Sequence, residues 1–144
     1  MLEAIKDLIQ SRDVCVLSTV SDGAPHCSLM SYVADDRCRE IYMLTLSGTR
    51  KYRNLVGNSA VSLLIDNREE GRDGVRNIQA LTISGVFREI NAPVEAAVIR
   101  RRLLERHPQL AELIAGGETR VFAVRATAFQ FLDGLRHAHV EVLD

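Results

Sequence analysis

Short apolar runs, each closed by a tight polar turn, recur from residue 14 to the end of the chain, and this rhythm restricts the fold more than any other feature. Val14 to Val20 leads into the turn Ser21-Asp22-Gly23-Ala24-Pro25-His26, then Ser28 to Val33, the pair Asp35-Asp36, and Ile41 to Leu46. Runs of this length separated by Asp-Gly and Asp-Asp turns read as strands in hairpin order. Ala60 to Asp66, Ile78 to Ile90, Arg120 to Leu132 and, after the turn Asp133-Gly134, Val140 to Leu143 extend the series. Gly85 inside the long run marks a bulge or bend of the kind that barrel closure requires. About seven strands with few helices between them predict a mainly β fold, an antiparallel barrel with peripheral helices. The alternating β and α of a doubly wound sheet is absent, as are the G-x-G-x-x-G and P-loop patterns. In the second strand, Cys27, Leu29, Ser31 and Val33 point one way and His26, Ser28, Met30 and Tyr32 the other. That polar and aromatic mixture suits the wall of a groove better than a pure core.

The helices are placed by apolar spacing. Leu2, Ile5, Leu8 and Ile9 predict a short amphipathic helix over 2–11, packed on the barrel. Asn91 reads as the cap of a helix with Pro93 in its first turn, and Val94, Ala97, Val98, Ile99 and Leu103 as its buried stripe. Arg100, Arg101, Arg102 and Arg106 fall largely outside that stripe, as a solvated basic face. Pro108 ends the helix, and a second short one closes at Gly116-Gly117. Arg68 to Arg76, rich in charge and glycine, reads as an exposed connection.

The segment Ser47-Gly48-Thr49-Arg50-Lys51-Tyr52-Arg53-Asn54-Leu55 carries the clearest chemical signal. Tyr52, Leu55 and Val56 lie on one apolar face of a short helix, and Gly57-Asn58 supplies residues that tolerate the left-handed conformation ending it. Two adjacent cations in a first turn oppose the helix dipole unless an anion sits there. With the Ser47 and Thr49 hydroxyls and the unpaired first-turn amides, the turn has the donors of a phosphate cradle.

Composition narrows the function classes. At 144 residues the chain is read as one domain, 1–144, with 47% hydrophobic and 26% charged residues. Its net charge of −1 and 5% aromatic content leave no footprint for nucleic acid. No apolar run reaches bilayer-spanning length and the N-terminus lacks a secretory pattern, so no membrane partner and a cytoplasmic location are expected. Cys15, Cys27 and Cys38 lack metal-type spacing and read as thiols in or beside strands; no metal site is expected. No catalytic constellation can be read, so the catalytic residues are unknown. Of the four histidines, His107 reads as a helix C-terminal cap and His26 as a strand start, while His137 and His139 lie in the last turn and strand.

The order of these pieces resembles the FMN-binding split-barrel family, the pyridoxamine 5'-phosphate oxidase-like proteins. The hairpin Leu17-Ser18-Thr19-Val20 to Gly23-Ala24-Pro25-His26, the strand Ile41-Tyr42-Met43-Leu44-Thr45, the helix Thr49 to Leu55 and the strand Ala60 to Ile65 carry the resemblance. It implies a Greek-key split β-barrel, FMN as cofactor, and redox chemistry on a small-molecule substrate through flavin N5. It implies that Thr45, Thr49, Arg50 and Lys51 hold the FMN phosphate, and that the isoalloxazine ring lies along Ser28, Leu29, Met30 and Ser31. Gln79 matches a position facing the flavin or its ribityl chain, and Arg136 and His137 belong to a C-terminal segment that returns toward the cofactor. It also implies a homodimer with cofactor sites at the subunit interface, since so small a barrel has an interior filled by side chains. The segment Arg136-His137-Ala138-His139 departs from the Arg-x-His pattern of true pyridoxamine phosphate oxidases, so the substrate stays open. Related barrels accept the deazaflavin F420 in place of FMN. A non-redox protein holding haem or flavin on the same barrel, or an interaction module using the Arg100 to Arg106 face, are the competing readings.

Overall fold

A computed structural model of the chain describes residues 1–68, 78–134 and 137–144. Helix α1 (Leu2–Ser11) precedes the hairpin of β1 (Val14–Ser21) and β2 (Ala24–Ser31). Asp22 and Gly23 between them both have positive φ, 51° and 77°, the two-residue turn whose twist matches that of the strands. Next come β3 (Val33–Ala34), β4 (Glu40–Leu46), α2 (Arg50–Gly57), β5 (Ala60–Asp66) and β6 (Gln79–Glu89). The chain closes with α3 (Pro93–Arg106), α4 (Leu110–Ala115), β7 (Thr119–Asp133) and β8 (His137–Val142).

Every strand pairing is antiparallel, in the order β2-β1-β5-β6-β7-β4-β3, with β8 on β7. Only Tyr32 separates β2 from β3, yet these strands occupy opposite ends of that order. The sheet must therefore curl until its edges approach, and the result is the split barrel that the sequence predicts. Tyr32 is the pivot. Its hydroxyl donates to the Ile9 carbonyl at 2.5 Å, and its own carbonyl lies 2.7 Å from Nε2 of the buried His107.

Two cores result. Cys15, Leu17, Ile41, Met43, Leu63, Ile83, Phe122 and Phe129 fill the barrel interior, with Ile5 and Ile9 of α1 closing it. Tyr42, Leu44, Val121 and Ala123, on the other face of β4 and β7, pack under Ile99 and Leu103 of α3. Successive β4 residues alternate between the two cores, which is why Ile41 to Thr45 is buried throughout.

Several sequence expectations are corrected. Helix α3 starts after Ala92, which makes no side-chain cap, so Asn91 is not the cap. Its buried stripe runs through Ile99 and Leu103, with Ala96 beside them, whereas Val94 is 78% exposed and Val98 42% exposed. In α2, Val56 is 59% exposed and Asn54 is buried beside Leu55 instead. That helix ends by passing directly into extended backbone at Asn58, with no left-handed residue. His107 is the C-cap of α3 as expected, and it is buried. All three cysteines are free, Cys15 and Cys38 buried and Cys27 exposed. The Arg68 to Arg76 connection lies, beyond Arg68, outside the described residues.

Candidate functional site

The turn from β4 into α2 is a closed hydrogen-bond design. Thr49 is the N-cap: its Oγ1 accepts from the Tyr52 amide at 3.3 Å and donates to the Leu46 carbonyl at 3.0 Å. Thr45 Oγ1, buried, lies 3.3 Å from Thr49 Oγ1. The Thr49 proton is committed to Leu46, so Thr45 is the donor in that pair. Both hydroxyls thus build the turn. The Arg53 amide bonds the Thr49 carbonyl at 3.2 Å as the first helical bond. The amides of Arg50 and Lys51 are left, and no helical acceptor exists for them.

The two cations differ. Arg50 is exposed, while the Lys51 chain is half-buried and runs back over β2, placing Nζ 3.5 Å from Met30 Sδ. A thioether is a weak acceptor for an ammonium. No carboxylate pairs with Lys51 among the described residues, and burial pulls its pKa below the usual lysine value. The result is a positive first turn with two open amides, one exposed guanidinium and one partly desolvated ammonium. That donor set fits a phosphate dianion.

Tyr52, Asn54 and Leu55 fix α2 to the barrel. The Tyr52 hydroxyl donates to Glu89 Oε1 at 2.6 Å and its ring stands edge-on to Phe87. Desolvation, followed by that carboxylate, pushes the Tyr52 pKa up to about 12. Asn54 Nδ2 donates to Thr19 Oγ1 on β1 at 3.1 Å, and both side chains are buried.

The remaining expected residues fall into distinct places. On β2, Ser28 and Met30 face the Lys51 side, whereas Leu29 points to the opposite sheet face and is 69% exposed; Ser31 pairs with Val14 at the strand end. Gln79 begins β6 and its amide bonds Asn67 Oδ1 at 2.7 Å, beside α1. Since α2 runs into Ala60 while Gln79 neighbours the Asp66 end of β5, one chain does not bring Gln79 to the first turn of α2. Gln79 instead pairs with Asp133, which pairs with His137 on β8. His139 Nε2 lies 3.0 Å from Glu141 Oε2 on the same strand. Arg136 lies outside the described residues.

Away from α3, the outer sheet face carries two uncharged rows. Leu29, Val16, Leu64, Thr82, Gln130 and Val140 form one, and Cys27, Ser18, Ser62, Ser84, Ala128 and Val142 the other. Leu29, Val140 and Val142 are exposed there. Asn54 carries little signal in the sequence, being a polar side chain at a helix position next to Leu55.

A curled antiparallel barrel with an anion-receptive helix start beside its first hairpin defines the class: a split-barrel protein. The family described as pyridoxamine 5'-phosphate oxidase matches residues 1–133, and the chain belongs to that family. No curated protein sequence matches it at a significant level. Among solved structures, a heme binding protein from Mycobacterium smegmatis superposes with a TM-score of 0.85 at 18% identity, over 98% of this chain and 57% of that one. The chain thus spans little more than half of that relative's length. A FAD-binding protein from Mesorhizobium loti gives 0.71 at 16% identity, over 90% and 91% of the two chains. A heme storage protein from Vibrio cholerae gives 0.72 at 19%, over 97% and 92%. At these identities the likeness is one of fold.

Proposed function

We propose that this protein binds FMN, with the phosphate on the Thr49-Arg50-Lys51 turn, and acts as a flavin-dependent oxidoreductase on a small molecule. The observation that carries the reading is Lys51: a half-buried ammonium at a helix start that meets the Met30 thioether and, among the described residues, no carboxylate. Hydride chemistry at N5 is what a bound flavin supplies. The chain's own contribution is to fix the phosphate with the Arg50 and Lys51 cations and amides, and to lay the ring along β2. Family membership and a FAD-binding structural relative support a flavin.

FMN is expected to bind at least tenfold more tightly than riboflavin, since each charge-assisted contact to the phosphate contributes about 1.5–3 kcal/mol. Fluorescence titration of both ligands checks this. Equal affinities would sink the turn as a phosphate site.

The same reading makes the protein a homodimer with two equivalent sites. Within one chain, the Lys51 turn and the Gln79–Asp133–His137 row lie apart. A twofold partner is the simplest way to bring one chain's turn to the other's row, and closed twofold dimers are the commonest assemblies. The uncharged rows with exposed Leu29, Val140 and Val142 suit such an interface. Sedimentation at micromolar concentration is expected to give a dimer; a monomer holding FMN with full affinity would refute the shared site.

A second reading, haem binding, rests on His137 and on His139 with its Glu141 contact on β8, since imidazole is a common haem ligand. Haem-binding relatives share the fold. The visible spectrum of the purified protein separates the cases: flavin bands support FMN, a Soret band supports haem, and a deazaflavin spectrum identifies F420.

A further inference from the structure

Helix α2 buries only two side chains, Asn54 and Leu55, and one of them is polar. Leu55 is wholly buried and gives adhesion without direction. Asn54 gives direction: its Nδ2 donates at 3.1 Å to Thr19 Oγ1, and Thr19 is itself fully buried on β1. A buried amide–hydroxyl bond tolerates little sliding or rotation, because moving either partner strands a polar group away from water. Asn54 stands three residues after Lys51 and four after Arg50, on the neighbouring turn of an eight-residue helix. Fixing Asn54 against β1 therefore fixes the rotation and height of the two cations.

From this geometry we infer that Thr19 and Asn54 are a positioning pair that sets where Lys51 and the first-turn amides meet a phosphate, and so set selectivity for phosphorylated over unphosphorylated flavin. This rests on the FMN reading above and deepens it. Neither residue touches the ligand. Their effect passes through the seating of α2, and a displacement near 1 Å is enough to weaken charge-assisted contacts strongly.

The test is the double variant Thr19→Val with Asn54→Leu. It removes both polar partners together, so no buried group is left unsatisfied and the seat stays filled. Riboflavin and FMN affinities and the apo melting temperature are measured for wild type, the double variant and Thr19→Ser. The expected result is a roughly tenfold fall in the FMN-to-riboflavin affinity ratio in the double variant, carried by FMN alone. Thr19→Ser keeps the accepting hydroxyl and is expected to keep the wild-type ratio. An unchanged ratio in a selective protein overturns the positioning role and leaves the phosphate turn standing. Equal weakening of both ligands, with a lowered melting temperature, also overturns it, since that is what a purely structural bond does. A double variant that does not fold overturns it too, because the pair is then required for the barrel itself. Wild-type protein that fails to discriminate the two flavins overturns the phosphate reading, and this inference with it.

Discussion

Lys51→Glu is expected to lower FMN affinity by on the order of 100-fold or more, the loss of one charge-assisted bond compounded by a new repulsion. Riboflavin, which lacks the phosphate, should bind nearly as before. The apo protein should melt at the wild-type temperature or slightly above it. Burial lowers the Lys51 pKa, so the unfolded chain holds that proton more tightly than the folded one. Below its folded pKa the charged Lys51 opposes folding, and the opposition fades as pH rises toward the ordinary lysine range. A glutamate at the same first-turn position also complements the helix dipole that lysine opposes. Melting curves with and without each flavin give both readings at once. A large fall in the apo melting temperature with FMN binding intact would show that Lys51 holds the helix on β2 through its contact with Met30.

The sequence exposes the barrel because hairpin punctuation is local. Asp22-Gly23 needs nothing beyond two residues to fix its turn, and the structure gives both the positive φ values that the dipeptide favours. Thr49 before a cationic first turn reads in the sequence as a phosphate donor, and in the structure its hydroxyl caps the helix. What depends on a distant partner was not legible. The sequence offers Val94, Ala97, Val98, Ile99 and Leu103 as one stripe of α3, and it is packing over Tyr42, Leu44, Val121 and Ala123 that buries Ile99 and Leu103 and leaves Val94 and Val98 exposed. The pivot at Tyr32 is invisible in an alternating run, because the change of sheet edge depends on α1 accepting its hydroxyl and on His107 meeting its carbonyl. Asn54 was hidden for the same reason: its partner, Thr19, lies 35 residues earlier in the chain.

Gly85 is the position where a single methyl group should do the most damage to the fold. The β6–β7 register shifts between Ser84 and Gly85: Ser84 pairs with Ala128 and Gly85 with Ala126, so Thr127 is the extra residue of a bulge. Thr127 is held there by its hydroxyl on the Ser84 carbonyl at 3.1 Å and by the Leu143 amide on its own carbonyl at 2.8 Å. The bulge is also where the barrel splits. Before it, β7 pairs with β4 through Arg125; after it, from Ala128, β7 pairs with β8. A Cβ on Gly85 would stand 2.5 Å from Val124 Cγ1 and 2.8 Å from the Arg125 carbonyl oxygen. One obstacle is a stiff β-branched side chain and the other is backbone, so neither can yield without parting the strands. Gly85→Ala is expected to destabilise by about 1–3 kcal/mol, as overpacked cores do. In a domain of this size that lowers the melting temperature by up to roughly 10 °C. Ser84→Ala, one residue away and exposed, should shift it by no more than about 2 °C. Because β8 is hung from β7 just past the bulge, Gly85→Ala should also loosen the strand that carries His137 and His139. Faster amide exchange in β8 than in β1 would register that loosening, and a wild-type melting curve for Gly85→Ala would show that the strands part more easily than their spacing implies.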